Sequence, residues 1–129
     1  MEPLLRILYI EDNIDDIFFF NHVLKKVSPD TQIDKVEDGE KAYEVLLRDI
    51  EKYQLVFVDV KLPRFSGIEI LSRLKKEKGN VPVEKIIMLS TSKNNTDKYK
   101  AMELGVNEFL QKPVDEKLIK ALFNKFGYV

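Results

Sequence analysis

The sequence predicts one α/β domain in which helices cover both faces of a parallel sheet. Three short, almost continuously apolar segments, at 5–10, 54–58 and 85–89, are typical of buried parallel strands. Segments with the apolar spacing of helices lie between them, and strands that alternate with helices favour a doubly wound sheet. With 129 residues, 44% of them hydrophobic and 33% charged, the chain has the size and composition of one globular domain.

The first half of the chain contains three strands and two helices in alternation. Strand 5–10 leads past Asp12 and Asn13, which can cap a helix, into a segment with four apolar residues at helical spacing: Ile17, Phe20, Leu24 and Val27. A weaker strand fits 32–37. A second helix containing Ala42 and Leu46 then precedes strand 54–58.

The second half continues the alternation. Ser66 and Glu69 form a capping-box pattern that predicts the start of a third helix. Strand 85–89 follows, and then a fourth helix at 96–104 that ends before Gly105. This helix has few apolar anchors, so we expect it to be weakly held. A short strand at 108–111 precedes a fifth helix that Asp115 caps.

Composition excludes several function classes. The net charge of −1 lacks the basic excess that a nonspecific nucleic-acid binder needs, and without cysteine there is no disulfide, thiolate zinc site or cysteine nucleophile. No apolar run approaches the ~18 residues of a membrane span, and the first residues do not resemble a secretory signal. We therefore expect a cytoplasmic protein without nucleic-acid or membrane partners.

Polar residues follow the strands at the edge where a doubly wound fold binds its ligands. The carboxyl ends of parallel strands meet at one edge of the sheet. The residues expected to converge there are Glu11 and Asp12 after the first strand, Asp59 after the third, Ser90 after the fourth and Lys112 after the fifth. Each alone fits a helix cap or a loop, but their joint placement favours a functional site.

The chemistry of these residues indicates phosphoryl transfer. Three close carboxylates repel one another unless a counter-charge is present. Their hard oxygen ligands favour Mg²⁺, or alternatively Mn²⁺, as that charge. A carboxylate nucleophile, a divalent ion and the Lys112 ammonium together can position and neutralise a transferring phosphoryl group, and Ser90 can donate a hydrogen bond to it.

The sequence resembles the receiver domain of two-component response regulators over essentially its whole length. The single-domain chemotaxis and phytochrome-associated regulators are the type it looks like. The segments that carry the resemblance are 7–12, 58–63 with Gly67, 87–90, 101–105 and 109–113, together with Asp38, Gly39 and Ala42. The resemblance implies a flavodoxin-like fold with strand order 2-1-3-4-5, and one receiver domain over 1–129 without an output domain.

The resemblance also implies roles for individual residues. Asp59 would be the phosphorylated aspartate. The Mg²⁺ ligands would be Glu11, Asp12, Asp59 and the backbone carbonyl of Lys61. Lys112 would pair with the aspartate or its phosphate, across a cis peptide bond to Pro113. Ser90, where the family commonly has Thr, and Phe109 would form the conformational switch.

The family's mode of action implies partners and regulation. Asp59 would take its phosphoryl group from a histidine kinase or a histidine phosphotransfer protein, and the chain would catalyse no reaction beyond its own phosphorylation and dephosphorylation. Lys61 and Ser92 would set the rate of dephosphorylation. Output would pass through the surface of the fourth helix, fifth strand and fifth helix to a downstream protein or a second copy of the chain. Tyr99 and Phe109 would be the aromatic residues that contact this partner. The alternative is an intermediate phosphorelay carrier.

Other function classes fit the sequence less well. A dinucleotide-binding domain or a P-loop needs a glycine-rich turn after the first strand, but the first glycine of the chain is Gly39. A haloacid-dehalogenase-type phosphatase carries a second aspartate two residues after its nucleophile, where this chain has Lys61. A degenerate receiver that only binds partners would not need the acidic pair, Asp59, Ser90 and Lys112.

Overall fold

A computed structural model describes residues 5–93 and 95–128. Five strands form one parallel sheet. Their bounds are β1 Arg6–Ile10, β2 Gln32–Val36, β3 Leu55–Asp59, β4 Ile86–Ser90 and β5 Glu108–Gln111. The order across the sheet is β2-β1-β3-β4-β5. The predicted doubly wound sheet and its strand order are therefore confirmed.

Five α-helices connect and follow the strands. They are α1 Ile14–Val27, α2 Gly39–Asp49, α3 Gly67–Lys78, α4 Thr96–Glu103 and α5 Glu116–Phe126. Short 3-10 turns at Ile50–Lys52 and Val83–Lys85 lead into β3 and β4. Within the described residues, no helix combines the length and the apolar character needed to cross a membrane.

Side-chain caps fix where most of the helices begin. At the start of α1, the Asn13 side chain accepts a hydrogen bond from the backbone N–H of Asp16. At the start of α2, the Asp38 side chain likewise accepts from backbone N–H groups of its own helix. Ser66 and Glu69 form the predicted capping box of α3, and Asp115 caps α5 as predicted. These oxygens satisfy backbone N–H groups that have no partner within the helix.

The core has two layers, one on each face of the sheet. Neighbouring residues of β1 alternate between them, as the period of a strand requires. Tyr9 packs with apolar residues of α1 and α5, whereas Leu8 packs with residues of α2, α3 and α4. Because both faces are covered, all five residues of β3 and all five of β4 are buried.

Several element ends differ by one residue from the sequence prediction. Strands β3 and β4 start and end one residue later than predicted, so Asp59 and Ser90 are their last residues rather than the residues that follow. β1 starts at Arg6 and β2 ends at Val36. Both strand ends continue the ladder through the backbone: Asp59 pairs with Leu89, and Ser90 pairs with Gln111. A polar side chain ends the apolar pattern without ending the hydrogen bonding.

Gly67 allows α3 to begin directly against the end of β3. Its backbone N–H donates to Val60 O at 2.8 Å. A Cβ at this position would lie 2.7 Å from the carbonyl oxygen of Asp59, which is too close for any side chain. The glycine thus brings the loop after Asp59 tightly back over the edge of the sheet.

Candidate functional site

Three carboxylates meet at the carboxyl edge of the sheet. Glu11 follows β1, Asp12 lies at the entrance to α1, and Asp59 ends β3. One oxygen from each lies within 4.8 Å of the others. Glu11 is fully buried and Asp59 is 6% exposed, while Asp12 is open to solvent. The cluster therefore has a buried wall and an accessible side.

Lys112 supplies a positive charge to this cluster. Its Nζ lies 2.5 Å from Glu11 Oε1 and 3.0 Å from Asp59 Oδ2. Its side chain is 8% exposed, so these contacts are largely shielded from water. The Lys112–Pro113 peptide bond is cis, as predicted. The backbone N–H of Lys112 donates to Ser90 O at 2.8 Å, which anchors the end of β5 to the end of β4.

Burial and charge shift the protonation equilibria of this cluster. Burial raises the pKa of Glu11 to about 7; the nearby Asp59 carboxylate adds to this rise, and Lys112 opposes it. For Lys112, burial favours the neutral amine, but hydrogen bonds to Asp16, Glu11 and Asp59 outweigh burial and raise its pKa. The lysine therefore stays charged and offsets part of the repulsion among the carboxylates.

The other predicted site residues lie around this cluster. Ser90 is 3% exposed, and its Oγ accepts a hydrogen bond from the backbone N–H of Ser92 at 3.0 Å. The backbone N–H of Lys61 donates to Asp59 Oδ1 at 3.2 Å, while its side chain is exposed. Phe109 is half-buried on β5 and packs against the core layer that also contains Ala101 of α4.

Two residues that the sequence interpretation missed also contact this cluster. Asp16 Oδ2 lies 2.8 Å from Lys112 Nζ, and the hydroxyl of Tyr9 donates to Glu11 Oε1 at 3.4 Å. Burial, with the charges of Glu11, Asp16 and Asp59, raises the pKa of Tyr9, which keeps this donor protonated. Asp16 lies in the first turn of α1, directly before Ile17, the first buried residue of that helix.

The three carboxylates suit a hard divalent cation. Glu11, Asp12 and Asp59 offer oxygen ligands, the type that Mg²⁺ prefers, and they are close enough together to share one ion. The exposure of Asp12 leaves an open side for the water molecules that Mg²⁺ usually retains. Bound there, the ion would balance the negative charge that Lys112 leaves uncompensated.

The chain matches a family model described as the response regulator receiver domain over residues 7–124. One relative, the response regulator RppA of Synechocystis sp., is 31% identical over 109 residues, which cover 84% of this chain and 44% of RppA. The chain spans less than half the length of the curated relatives that it matches.

Solved structures agree with this assignment. The bacteriophytochrome response regulator RtBRR is 28% identical, with a TM-score of 0.77 and coverage of 97% of this chain and 79% of RtBRR. A CheY-like receiver domain protein from Methanospirillum hungatei has a TM-score of 0.78 at 20% identity, covering 97% of this chain and 95% of its own, and so shows the same fold. Because the family match extends over nearly the whole chain and the acidic cluster lies at the edge of the sheet, this chain belongs to the response regulator receiver domains of two-component signalling.

Proposed function

We propose that this receiver accepts a phosphoryl group on Asp59 from a phosphohistidine protein. The observation that supports this is the cluster itself: Asp59 lies beside two further carboxylates that can share a cation and 3.0 Å from a shielded ammonium. Since phosphoryl transfer depends mainly on positioning and charge neutralisation, these residues suffice for the step.

In this step one carboxylate oxygen of Asp59 attacks phosphorus in line with the leaving nitrogen. The O–P bond forms while the P–N bond to the donor histidine breaks, and the imidazole leaves with the bonding electron pair. Glu11, Asp12 and Asp59, with the Lys61 carbonyl as a further ligand, would hold a Mg²⁺ ion, which would supply charge neutralisation. Lys112 and Ser90 then hold the phosphoryl oxygens. Water later hydrolyses the acyl phosphate and regenerates the carboxylate.

The donor protein would dock on the surface that α1 presents beside the site. Ile14 and Phe18 are 77% and 74% exposed and lie four residues apart, so they form neighbouring apolar contacts on one face of the helix. Exposed apolar clusters of this kind commonly serve as interaction surfaces. Their proximity to the entrance of the site suits a partner that must bring a phosphohistidine to Asp59.

Output would leave through the surface of α4, β5 and α5. Tyr99 of α4 is 61% exposed, and Phe109 of β5 is half-buried. A phosphoryl group that draws Ser90 inward would let Phe109 rotate, which couples the local change of charge to a shift of α4. The partner would be a downstream protein or a second copy of the chain.

The test of Asp59 is phosphorylation with acetyl phosphate and Mg²⁺, followed by mapping of the adduct. We expect one adduct, on Asp59, and its loss in Asp59→Asn. Asp30→Asn, which removes an exposed carboxylate elsewhere, should leave the reaction unchanged. An adduct that persists undiminished in Asp59→Asn would contradict the proposed acceptor.

The test of the output surface is amide hydrogen exchange with and without beryllofluoride, which mimics the phosphoryl group. We expect protection to change within 90–112 as well as around Asp59. A change confined to the surroundings of Asp59 would contradict this surface as the output. Four points stay predictions: the relay alternative, the control of dephosphorylation by Lys61 and Ser92, the use of Mn²⁺ and the cytoplasmic location.

A further inference from the structure

Asp16 occupies one of the three hydrogen-bonding positions of the Lys112 ammonium. An ammonium group has three N–H donors. Those of Lys112 point to Glu11 at 2.5 Å, Asp16 at 2.8 Å and Asp59 at 3.0 Å. Since the lysine side chain is 8% exposed, it has little access to other acceptors. An incoming phosphoryl oxygen must therefore compete with these carboxylates for the same donors.

Asp16 differs from the other two partners of Lys112. Glu11 and Asp59 belong to the three carboxylates that can share a cation. Among the residues that the structure describes, Asp16 lies outside this group. Asp16 lies on the first turn of α1, and the neighbouring Asn13 side chain bonds its backbone rather than its carboxylate. Its carboxylate thus acts on the site through Lys112 and through its charge.

We propose that Asp16 is a positioning residue that holds Lys112 toward α1 and weakens binding of the phosphoryl group to the unphosphorylated site. The argument is electrostatic. A fixed negative charge beside the ammonium lowers the attraction between the site and an anion, and it raises the attraction between the site and a cation. Asp16 therefore shifts the balance of the site toward Mg²⁺ and away from phosphoryl anions. This inference rests on the proposed function, because the anion it concerns is the group that Asp59 accepts.

The decisive variant is Asp16→Asn, which keeps the shape of the side chain and one acceptor oxygen but removes the charge. With saturating Mg²⁺, we expect beryllofluoride to bind about three- to tenfold more tightly. The acetyl phosphate concentration that gives half-maximal phosphorylation should fall by a similar factor, with a smaller change in the maximal rate. Mg²⁺ affinity, measured by calorimetry in the absence of phosphoryl donors, should fall by about two- to fivefold.

Two control variants separate this role from a general effect of charge or fold. Asp15→Asn removes the same charge from the preceding, exposed residue, and we expect both affinities to change less than about twofold because solvent screens it. Asp16→Glu keeps the charge and should return both affinities toward those of the wild type. In a Lys112→Met background, Asp16→Asn should strengthen beryllofluoride binding by a smaller factor, because only the direct effect of the charge remains.

The opposite signs of the two shifts distinguish the possible outcomes. A loss of structure would lower the affinity for both Mg²⁺ and beryllofluoride, so weaker binding of both would overturn the inference. Equal effects of Asp15→Asn and Asp16→Asn would overturn it too. A wild-type chain that takes no phosphoryl group on Asp59 contradicts the proposed function itself. Normal phosphorylation of the wild type combined with unchanged affinities in Asp16→Asn contradicts this inference alone.

Discussion

Helices α1 and α4 both carry exposed apolar side chains, but they are anchored very differently. α1 has 14 residues, a side-chain cap from Asn13 and four buried residues, namely Ile17, Phe20, Val23 and Leu24. α4 has 8 residues, all of them described, and Ala101 alone among them is buried. Asn95, at the start of α4, makes no capping hydrogen bond through its side chain to the residues that the structure describes.

The difference separates a fixed platform from a movable element. The anchors of α1 hold Asp16 beside Lys112, so the site and the Ile14–Phe18 surface keep one geometry relative to each other. α4 presents Tyr99 and Met102, which are 61% and 54% exposed, on a helix with little apolar burial to fix it. Segments with few buried contacts open and shift at low free-energy cost. We infer that rigidity serves phosphoryl transfer and looseness serves output.

The strongest test of this comparison is truncation of a buried anchor in each helix. Phe20 is 2% exposed and packs edge-on against Phe57 with ring centroids 4.9 Å apart. Phe20→Ala should lower the free energy of unfolding by about 3–5 kcal/mol, because it removes burial and leaves a cavity. Ala101→Gly in α4 should cost about 1 kcal/mol, mainly through helix propensity.

Urea unfolding measures both changes. Phe18→Ala is the matched control in α1, because Phe18 is 74% exposed and its truncation should change the free energy of unfolding by less than about 0.5 kcal/mol. Equal losses from Phe20→Ala and Ala101→Gly would contradict the difference in anchoring.

The second prediction concerns the pH dependence of stability that Glu11 causes; this residue lies at the start of the loop that leads into α1. Burial raises the pKa of Glu11 to about 7 from an ordinary value of 4.5, so between these values the folded state binds more protons than the unfolded state. Stability contributed by this group is fully present below about pH 4.5 and is lost as pH rises toward 7. We expect a loss on the order of 2–3 kcal/mol without divalent ions.

Unfolding of the wild type and of Glu11→Gln at several pH values checks this expectation. The amide variant cannot ionise, so its free energy of unfolding should fall less between pH 4.5 and 7. Saturating Mg²⁺ should also reduce the fall in the wild type, because the ion favours the charged carboxylate. Identical pH profiles for the two proteins would show that Glu11 does not carry this dependence.

The third prediction removes the exposed apolar side chains of α1 and, separately, those of α4. The donor in this test is a phosphohistidine phosphotransfer domain that phosphorylates the wild type. Transfer from it should be about tenfold slower to the variant that combines Ile14→Ser with Phe18→Ser. Acetyl phosphate, which needs no docking surface, should react at the normal rate. Tyr99→Ser combined with Met102→Ser is the matched pair on α4 and should leave both reactions unchanged. If the α4 double variant also accepted the phosphoryl group more slowly from the protein donor, docking of the donor on α1 would be contradicted.

The sequence was sufficient to predict the sheet and most of the site. Glu11, Asp12, Asp59 and Lys112 could be brought together in advance because the carboxyl ends of parallel strands share an edge. Asp16 could not, because a carboxylate in the first turn of a helix already has a local explanation in the helix dipole. Its contact with Lys112 joins residues 96 positions apart and depends on the direction in which α1 leaves the sheet.

The last and smallest expected effect concerns what holds α4 in place. Lys75 of α3 donates from Nζ to the carbonyl oxygen of Leu104, at 2.8 Å, where α4 ends. A lysine at this position satisfies a terminal carbonyl and opposes the partial negative charge of the helix end. Lys75→Met keeps the aliphatic stem and removes the bond, so we expect about 0.5–1 kcal/mol less protection of α4 against amide exchange. Exchange in α1 should stay unchanged, as should exchange in both helices of Lys76→Met, which removes the neighbouring, exposed charge. Equal acceleration in α1 and α4 would mean that the two helices open together, and the division between platform and movable element would fail.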